Sequence, residues 1–326
     1  MIQEKTVFVL GAGASKPFGF PLGSELVDLI YSSLEYKPLL KKELIGSSLM
    51  KGAPYKETPV EDDSKSANPL FQMLLDLGHT KNEILSFRND LVVSQLNSVD
   101  AFLEHRVEYI PIGKAAIAYN LLQFESSQYL YDNPDWYKYL RNIMNSTYDS
   151  FADNQISFIT FNYDRSLEYY LINSLRATYG KSIVESYELL KTTPIIHLHG
   201  KLGPLPWETQ DMDIPFGYQP KNHGELKYVA DSIKIIHEDI DSDKEFTSAK
   251  KLLSKANKIY ILGFGFSPTN ILRLGLNELD TESICSAYKL TKLEINLIRR
   301  SNPKMKPTLF PAYDCLDFLR NEVPLK

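Results

Sequence analysis

A short, largely apolar run, Thr6 to Leu10 (TVFVL), leads straight into the glycine-rich turn Gly11-Ala12-Gly13-Ala14-Ser15. A β-branched run that stops at glycines is the pattern of a strand buried on both faces of a parallel sheet. Similar runs recur late in the chain: Ile156 to Phe161, Pro194 to Leu198, Lys258 to Leu262 and Lys292 to Ile298. Each is bounded by turn residues or precedes a helix-compatible stretch. Strands alternating with helices predict an α/β fold with a Rossmann-like parallel sheet.

Between the first run and the second, apolar residues recur instead at helical spacing, in Glu25 to Leu34, Leu70 to Leu77, Asn82 to Leu96, Val99 to Tyr109, Lys114 to Phe124 and Trp136 to Ser150. Residues 24–150 are therefore expected to form a large helical insertion after the first strand, with 1–23 plus 151–326 forming the sheet domain. Lys51 to Asn68, polar and with two prolines, reads as an exposed loop, and Gly203 to His223, rich in proline, as a surface loop.

Composition narrows the function classes. The 326 residues are 43% hydrophobic and 24% charged, which is ordinary for a globular chain. A net charge of −5 and no long run of Lys or Arg argue against direct nucleic-acid binding. Cys285 and Cys315 form no CxxC, so neither a disulfide framework nor a four-cysteine zinc site is expected. With no leader-like N-terminus and no long apolar segment, a cytoplasmic protein with no membrane span is expected.

The turn Gly11 to Ser15 lets backbone N–H groups approach a phosphate at a helix N-terminus. Lys16 stands where the third glycine of GxGxxG belongs, and Lys16-Pro17 stands where a P-loop needs Gly-Lys. A dehydrogenase or a P-loop NTPase is therefore not expected, and a ligand-free strand-to-helix turn reads the same way. Thr160-Phe161-Asn162-Tyr163-Asp164 follows the second run, so Asn162 and Asp164 would share the carboxyl rim of the sheet, where open α/β sheets bind ligands. Equally, Asp164 could cap the helix beginning near Arg165.

In His197-Leu198-His199-Gly200, two imidazoles two apart on a strand would share a face. Two nitrogens make half a metal site at most, and no other ligands are nominated. His199, beside a glycine at the strand end, is the better-placed general base, whereas His197 suits a satisfied histidine below the rim. Gly263-Phe264-Gly265-Phe266-Ser267 makes a second glycine turn, and Asn296 falls in the fifth run. Arg299 and Arg300 follow it, placed for a 2′-phosphate or simply as surface charges.

In this order, GAGAS, then Gly19, Pro21 and Gly23-Ser24-Glu25-Leu26, then Ser98-Val99-Asp100-Ala101-Phe102-Leu103, TFNYD, HLHG, GFGFS and Ile295-Asn296, the chain resembles the sirtuin-like superfamily over nearly its whole length. The match is to its bacterial branch, best known as NAD⁺ hydrolases of antiphage defence. That resemblance implies that Gly11, Ala12, Gly13, Ala14 and Ser15 hold the NAD⁺ diphosphate, that Asn162 and His199 flank the nicotinamide ribose as catalytic residues, and that Asp164 supports them. It further implies NAD contacts from Thr160, Gly263, Gly265, Ser267 and Asn296, with Tyr313-Asp314-Cys315 lying over adenine. Asp100 is matched within the insertion, as a helix N-cap or a ligand contact. Deacylating sirtuins commonly carry four zinc cysteines and an Asp-Phe-Arg run after the glycine loop. This chain has no such cysteines and reads Phe20-Pro21-Leu22-Gly23, so no metal is expected.

The implied reaction is cleavage of the nicotinamide–ribose bond with water as acceptor, giving nicotinamide and ADP-ribose. The alternatives are an NAD-dependent protein deacylase and a non-catalytic NAD or ADP-ribose sensor. Because free hydrolysis of NAD⁺ is toxic, control by homo-oligomerisation or by a separate protein is expected. A ring ATPase of the HerA type is the partner that the resemblance favours over an Argonaute-like protein.

Overall fold

The computed structural model describes residues 1–44, 55–59, 62, 64–133, 135–235 and 244–325. Its strands are β1 (Thr6–Leu10), β2 (Leu40–Leu44), β3 (Tyr55–Pro59), β4 (Ile156–Thr160), β5 (Ile195–His197), β6 (Lys258–Leu262), β7 (Ser283–Ser286) and β8 (Thr308–Phe310). Six of them form one sheet in the order β5-β4-β1-β6-β7-β8, and every neighbouring pair is parallel. Counted within the sheet this is the order 3-2-1-4-5-6 of dinucleotide-binding folds, and it reverses direction between β1 and β6. The fold is thus Rossmann-like α/β, with a large helical insertion after the first strand.

All five residues of β1 are buried, as expected for a central strand covered on both sides. Alternation sends Phe8 to one face, where its ring meets Phe158 at 5.6 Å and Tyr260 at 5.4 Å. Val7 and Val9 join Ile159, Ile261 and Phe246 in a cluster of their own. Full burial of each such side chain is worth about 1.5–3 kcal/mol, so the centre of the sheet is the main cohesive element of this unit.

The chain divides into two compact units. The sheet unit comprises Met1–Leu22, Leu121–Tyr218 and Ser232–Lys326, and the helical unit Gly23–Asn120 and Gln219–Asp231. Residues 121–150, expected within the insertion, thus lie in the sheet unit. The reason is packing: the Asp135–Ile143 helix lies against the helices Ser166–Tyr179 and Cys315–Glu322. In the helical unit, Thr80 and Glu83 form a capping box at the start of Lys81–Val93, and Phe87, Phe102 and Tyr109 make an aromatic cluster.

Three expectations are corrected. Tyr55–Pro59 pairs antiparallel with Leu40–Leu44, so a hairpin lies in the stretch expected to lack strands, partly within the expected 51–68 loop. Residues 51–54, 60, 61 and 63 of that loop lie outside the described residues. Lys292 to Ile298 is not a strand but the start of the helix Lys292–Ser301. Alternating Leu293, Ile295 and Leu297 imitate strand periodicity, yet Thr291 and Glu294 form a capping box that commits the segment to helix, and only Ile295 of this helix is buried. The strands beyond β6 are instead β7 and β8, too short to show as apolar runs. Finally, the 203–223 loop is irregular as expected but not wholly superficial, since Leu205 and Ile214 are buried.

Candidate functional site

The site is built where β1, β4 and β6 end together, at the reversal of strand order. Gly11 N–H donates to Leu262 O at 3.0 Å and Gly13 N–H to Gly263 O at 2.9 Å, so the two glycine turns are joined backbone to backbone. A Cβ on Gly11 would lie 2.6 Å from Gly263 O, one on Gly13 2.7 Å from Gly263 Cα, and one on Gly263 2.0 Å from Ala14 N. Gly263 also has φ of +58°, which a side chain resists. Gly263 N–H in turn donates to the buried Ser286 Oγ at the end of β7 (2.9 Å).

Ala14 N–H donates to Gly11 O at 2.9 Å, so three of the amides expected to hold a diphosphate, those of Gly11, Gly13 and Ala14, are engaged within the protein. The glycines are needed for close approach of the two turns. Ala12 opens the short helix Ala12–Ser15, and its N–H has no partner among the described residues. Ala14 O accepts from Trp136 Nε1 at 2.8 Å. Cys315 is buried, with Sγ 3.8 Å from Gly13 O; burial pushes its thiol up to about 12, so it is a neutral support of the glycine turn.

Asn162 is pinned at every hydrogen-bonding group but one. Its backbone N–H donates to Thr160 Oγ1 (3.0 Å), and its carbonyl meets His197 Nδ1 (2.9 Å). Its amide Nδ2 donates to Gly11 O (3.0 Å) and to Ser15 Oγ (2.8 Å). Ser15 Oγ gives its own proton to Asp164 Oδ2 (2.6 Å), so it can only accept from Asn162. The orientation of the Asn162 amide is thereby determined, and Oδ1 alone lacks a partner among the described residues.

Asp164 is buried beneath this arrangement. Its Oδ1 accepts the Ser166 N–H (3.2 Å) at the helix start and also the Ser166 hydroxyl, which takes a hydrogen bond from Tyr137 OH (2.7 Å). Burial pushes the Asp164 carboxyl above its ordinary value while the Ser15 and Ser166 hydroxyls oppose the shift. Asp164 is thus not the N-cap of that helix, which is Arg165; it accepts the Ser166 N–H and is linked through Ser15 to the Asn162 amide.

The two histidines have different surroundings. β5 ends at His197, and His199 lies in the turn beyond it. His197 is bonded to Glu168 Oε1 at 2.7 Å as well as to Asn162 O. His199 sits among Phe161 (5.6 Å between ring centroids), Phe246 (6.0 Å) and Tyr163 (6.4 Å), and its imidazole has no hydrogen-bond partner among the described residues. Burial pushes its basicity down to about 3, with the positive Arg273 and Lys234 adding to the effect, so the ring is neutral at physiological pH.

Linkage gives this a measurable sign. The unfolded chain takes up a proton on His199 as pH falls below 6.5, whereas the folded chain resists until about 3. Stability is therefore complete above pH 6.5 and lost progressively below it. Between pH 7.5 and 5 the loss through this residue should be about 2 kcal/mol. Urea denaturation of His199→Leu at the two pH values should lack that part of the decline; an unchanged decline would mean that His199 is not held neutral by burial.

The other expected positions are less convergent. Gly265 lies in open space, and Ser267 is the exposed residue ahead of the Pro268–Leu274 helix. Asn296 is exposed on a helix and is not part of the sheet. Asp314 caps the Cys315–Glu322 helix by accepting Asp317 N–H at 2.9 Å. In the helical unit, Ser98 and not Asp100 caps Val99–Leu103, and Asp100 occupies the first turn. Sequence reading missed Ser286, Trp136, Tyr137, Ser166 and Glu168. Only Glu168 had a local signal, as an acid in the first turn of the helix that follows TFNYD.

No family model matches this chain, and no curated protein matches it.

Proposed function

We propose that the chain is an NAD⁺ hydrolase that cleaves the nicotinamide–ribose bond to yield nicotinamide and ADP-ribose. The observation that carries the reading is Asn162, locked at the strand-order reversal with a single acceptor oxygen left for a ligand. Nicotinamide leaves with loss of its ring charge and needs no acid. What remains is to hold the ribose, to accommodate an oxocarbenium-like centre and to position water. Asn162 Oδ1 accepts a hydrogen bond from a ribose hydroxyl or from the attacking water. His199, being uncharged, accepts from the same network without repelling the developing cation. The Ala12 N–H is a donor suited to the diphosphate. A role in antiphage defence, a HerA-type partner and control through self-association rest on the resemblance alone.

The test is incubation of the purified chain with NAD⁺, with and without an acylated peptide, followed by chromatography of nicotinamide and ADP-ribose. Asn162→Ala and His199→Ala should each lower the rate, normalised to the folded fraction measured by circular dichroism, by about 10²–10⁴-fold. Turnover that requires the peptide would move the assignment to a deacylase. NAD⁺ binding without turnover, unaffected by either change, would make the protein a sensor.

A further inference from the structure

His197 was expected to be a satisfied histidine below the rim, but its two partners make a stronger demand. Its Nδ1 faces the Asn162 carbonyl oxygen at 2.9 Å and its Nε2 faces Glu168 Oε1 at 2.7 Å. A carbonyl oxygen and an ionised carboxylate are both acceptors only, so both ring nitrogens must carry hydrogen. Independently of His197, the Lys201 ammonium 3.5 Å from Glu168 Oε1 favours the ionised carboxylate. A neutral imidazole would leave one acceptor facing a lone pair inside the protein. We propose that His197 is a positioning residue which, donating from both ring nitrogens, clamps the Asn162 carbonyl to Glu168 and so sets the direction in which Asn162 Oδ1 is presented to substrate.

Glu168 lies in the Ser166–Tyr179 helix, and Lys201 beyond β5 bridges it (3.5 Å) to Glu208 (2.6 Å). Lys234, Lys244 and Glu245 line the cavity that His197 also borders, and Lys234 is paired with Glu245 at 2.7 Å. The other histidine at this rim, His199, is held neutral by burial down to about pH 3.

A ring with a single hydrogen would keep it on Nε2 against the carboxylate, where the bond is charge-assisted. The Asn162 carbonyl then loses its donor. Loss of that donor should lower NAD⁺ cleavage through kcat and with little change in KM, because the ground-state contacts of the substrate are retained.

Two substitutions separate positioning from simple satisfaction of Glu168. The amide of an asparagine mimics the Nδ1 donor, and that of a glutamine mimics the Nε2 donor. His197→Asn keeps the hydrogen bond to Asn162 O and should retain kcat within about threefold. His197→Gln keeps the hydrogen bond to Glu168 and should lose about 10- to 100-fold in kcat. The reverse ranking, or equal activity of both with the parent, would overturn the proposal.

This proposal rests on NAD⁺ cleavage at Asn162, and a second measurement is free of that dependence. The chain has six histidines, so selective ¹⁵N-histidine labelling resolves the ring nitrogens individually. One histidine, absent from the spectrum of His197→Asn, should show both ring nitrogens protonated at pH 7. The Asn162 side-chain amide resonances should shift in His197→Gln more than in His197→Asn. A neutral-tautomer signal for His197 would overturn the clamp whatever the activity. An imidazolium signal in a chain that neither binds nor cleaves NAD⁺ would leave the clamp standing and refute the reaction instead.

Discussion

Gly263→Ala should be the most damaging single-methyl change in the sheet unit, lowering stability by about 3 kcal/mol or more. Two effects add. The residue sits at φ of +58°, where a side chain costs about 1–2 kcal/mol. The new Cβ would also lie 2.0 Å from Ala14 N and 2.2 Å from Gly13 C, so a backbone turn and not a flexible side chain must give way. Separating the turns would break Gly13 N–H to Gly263 O and pull Gly11 from Leu262 O. Gly265→Ala, two residues away, meets nothing within 4 Å and should melt with the parent. Thermal melts followed by circular dichroism decide the matter: a Gly263→Ala protein melting within a degree or two of the parent would mean that the turns are not in contact. The tolerant position is informative in another way. Loss of NAD⁺ binding in Gly265→Ala at unchanged melting temperature would place the ligand against that residue.

The second large effect belongs to the Arg165–Glu125 pair, in which both side chains are fully buried. Arg165 Nη2 and Nε donate to the two oxygens of Glu125 at 2.5 and 2.9 Å, a bidentate arrangement that only arginine provides. Arg165 also donates to Ile214 O at 2.6 Å, and Glu125 accepts Gly217 N–H at 3.2 Å. Arg165→Met leaves a buried carboxylate without its partner and should cost about 3–5 kcal/mol, as should Glu125→Leu. The double variant should recover part of that loss, because no uncompensated charge then remains. Recovery should be incomplete, since the carbonyl of Ile214 and the amide of Gly217 are still orphaned. Urea denaturation of the four proteins gives the coupling energy directly, and additive losses would contradict the pair. Limited proteolysis should meanwhile show the 203–217 loop cut first in Arg165→Met.

These two cases mark the boundary of what the primary structure reveals. TVFVL followed by GAGAS announces a buried strand and a tight turn, because hydrophobicity, β-branching and the need for glycine act within a few residues. ISFITF and KIYIL are legible for the same reason, and with them the parallel sheet and its carboxyl rim. KLEINLI misleads because its alternation is contradicted only by a cap, Thr291 with Glu294, that begins one residue ahead of the run. β7 and β8 escape notice because four- and three-residue strands carry too little pattern. The hairpin of β2 and β3 is built from polar stretches that no search for apolar runs would find.

Within the site, the chain by itself determined which residues reach the rim: the glycine turn, Asn162, Asp164 and His199 all stand just after strands, and strand ends are a local property. What each does there was decided only by tertiary structure. That Gly11 and Gly13 serve a contact with Gly263, that Ser15 links Asp164 to Asn162, that Cys315 lies under Gly13, and that His197 is held between Glu168 and the Asn162 carbonyl all depend on partners far away in sequence. Hydrogen-bond roles, burial and charge states belong to pairs of groups, and a linear pattern names one member of each pair while the fold supplies the other.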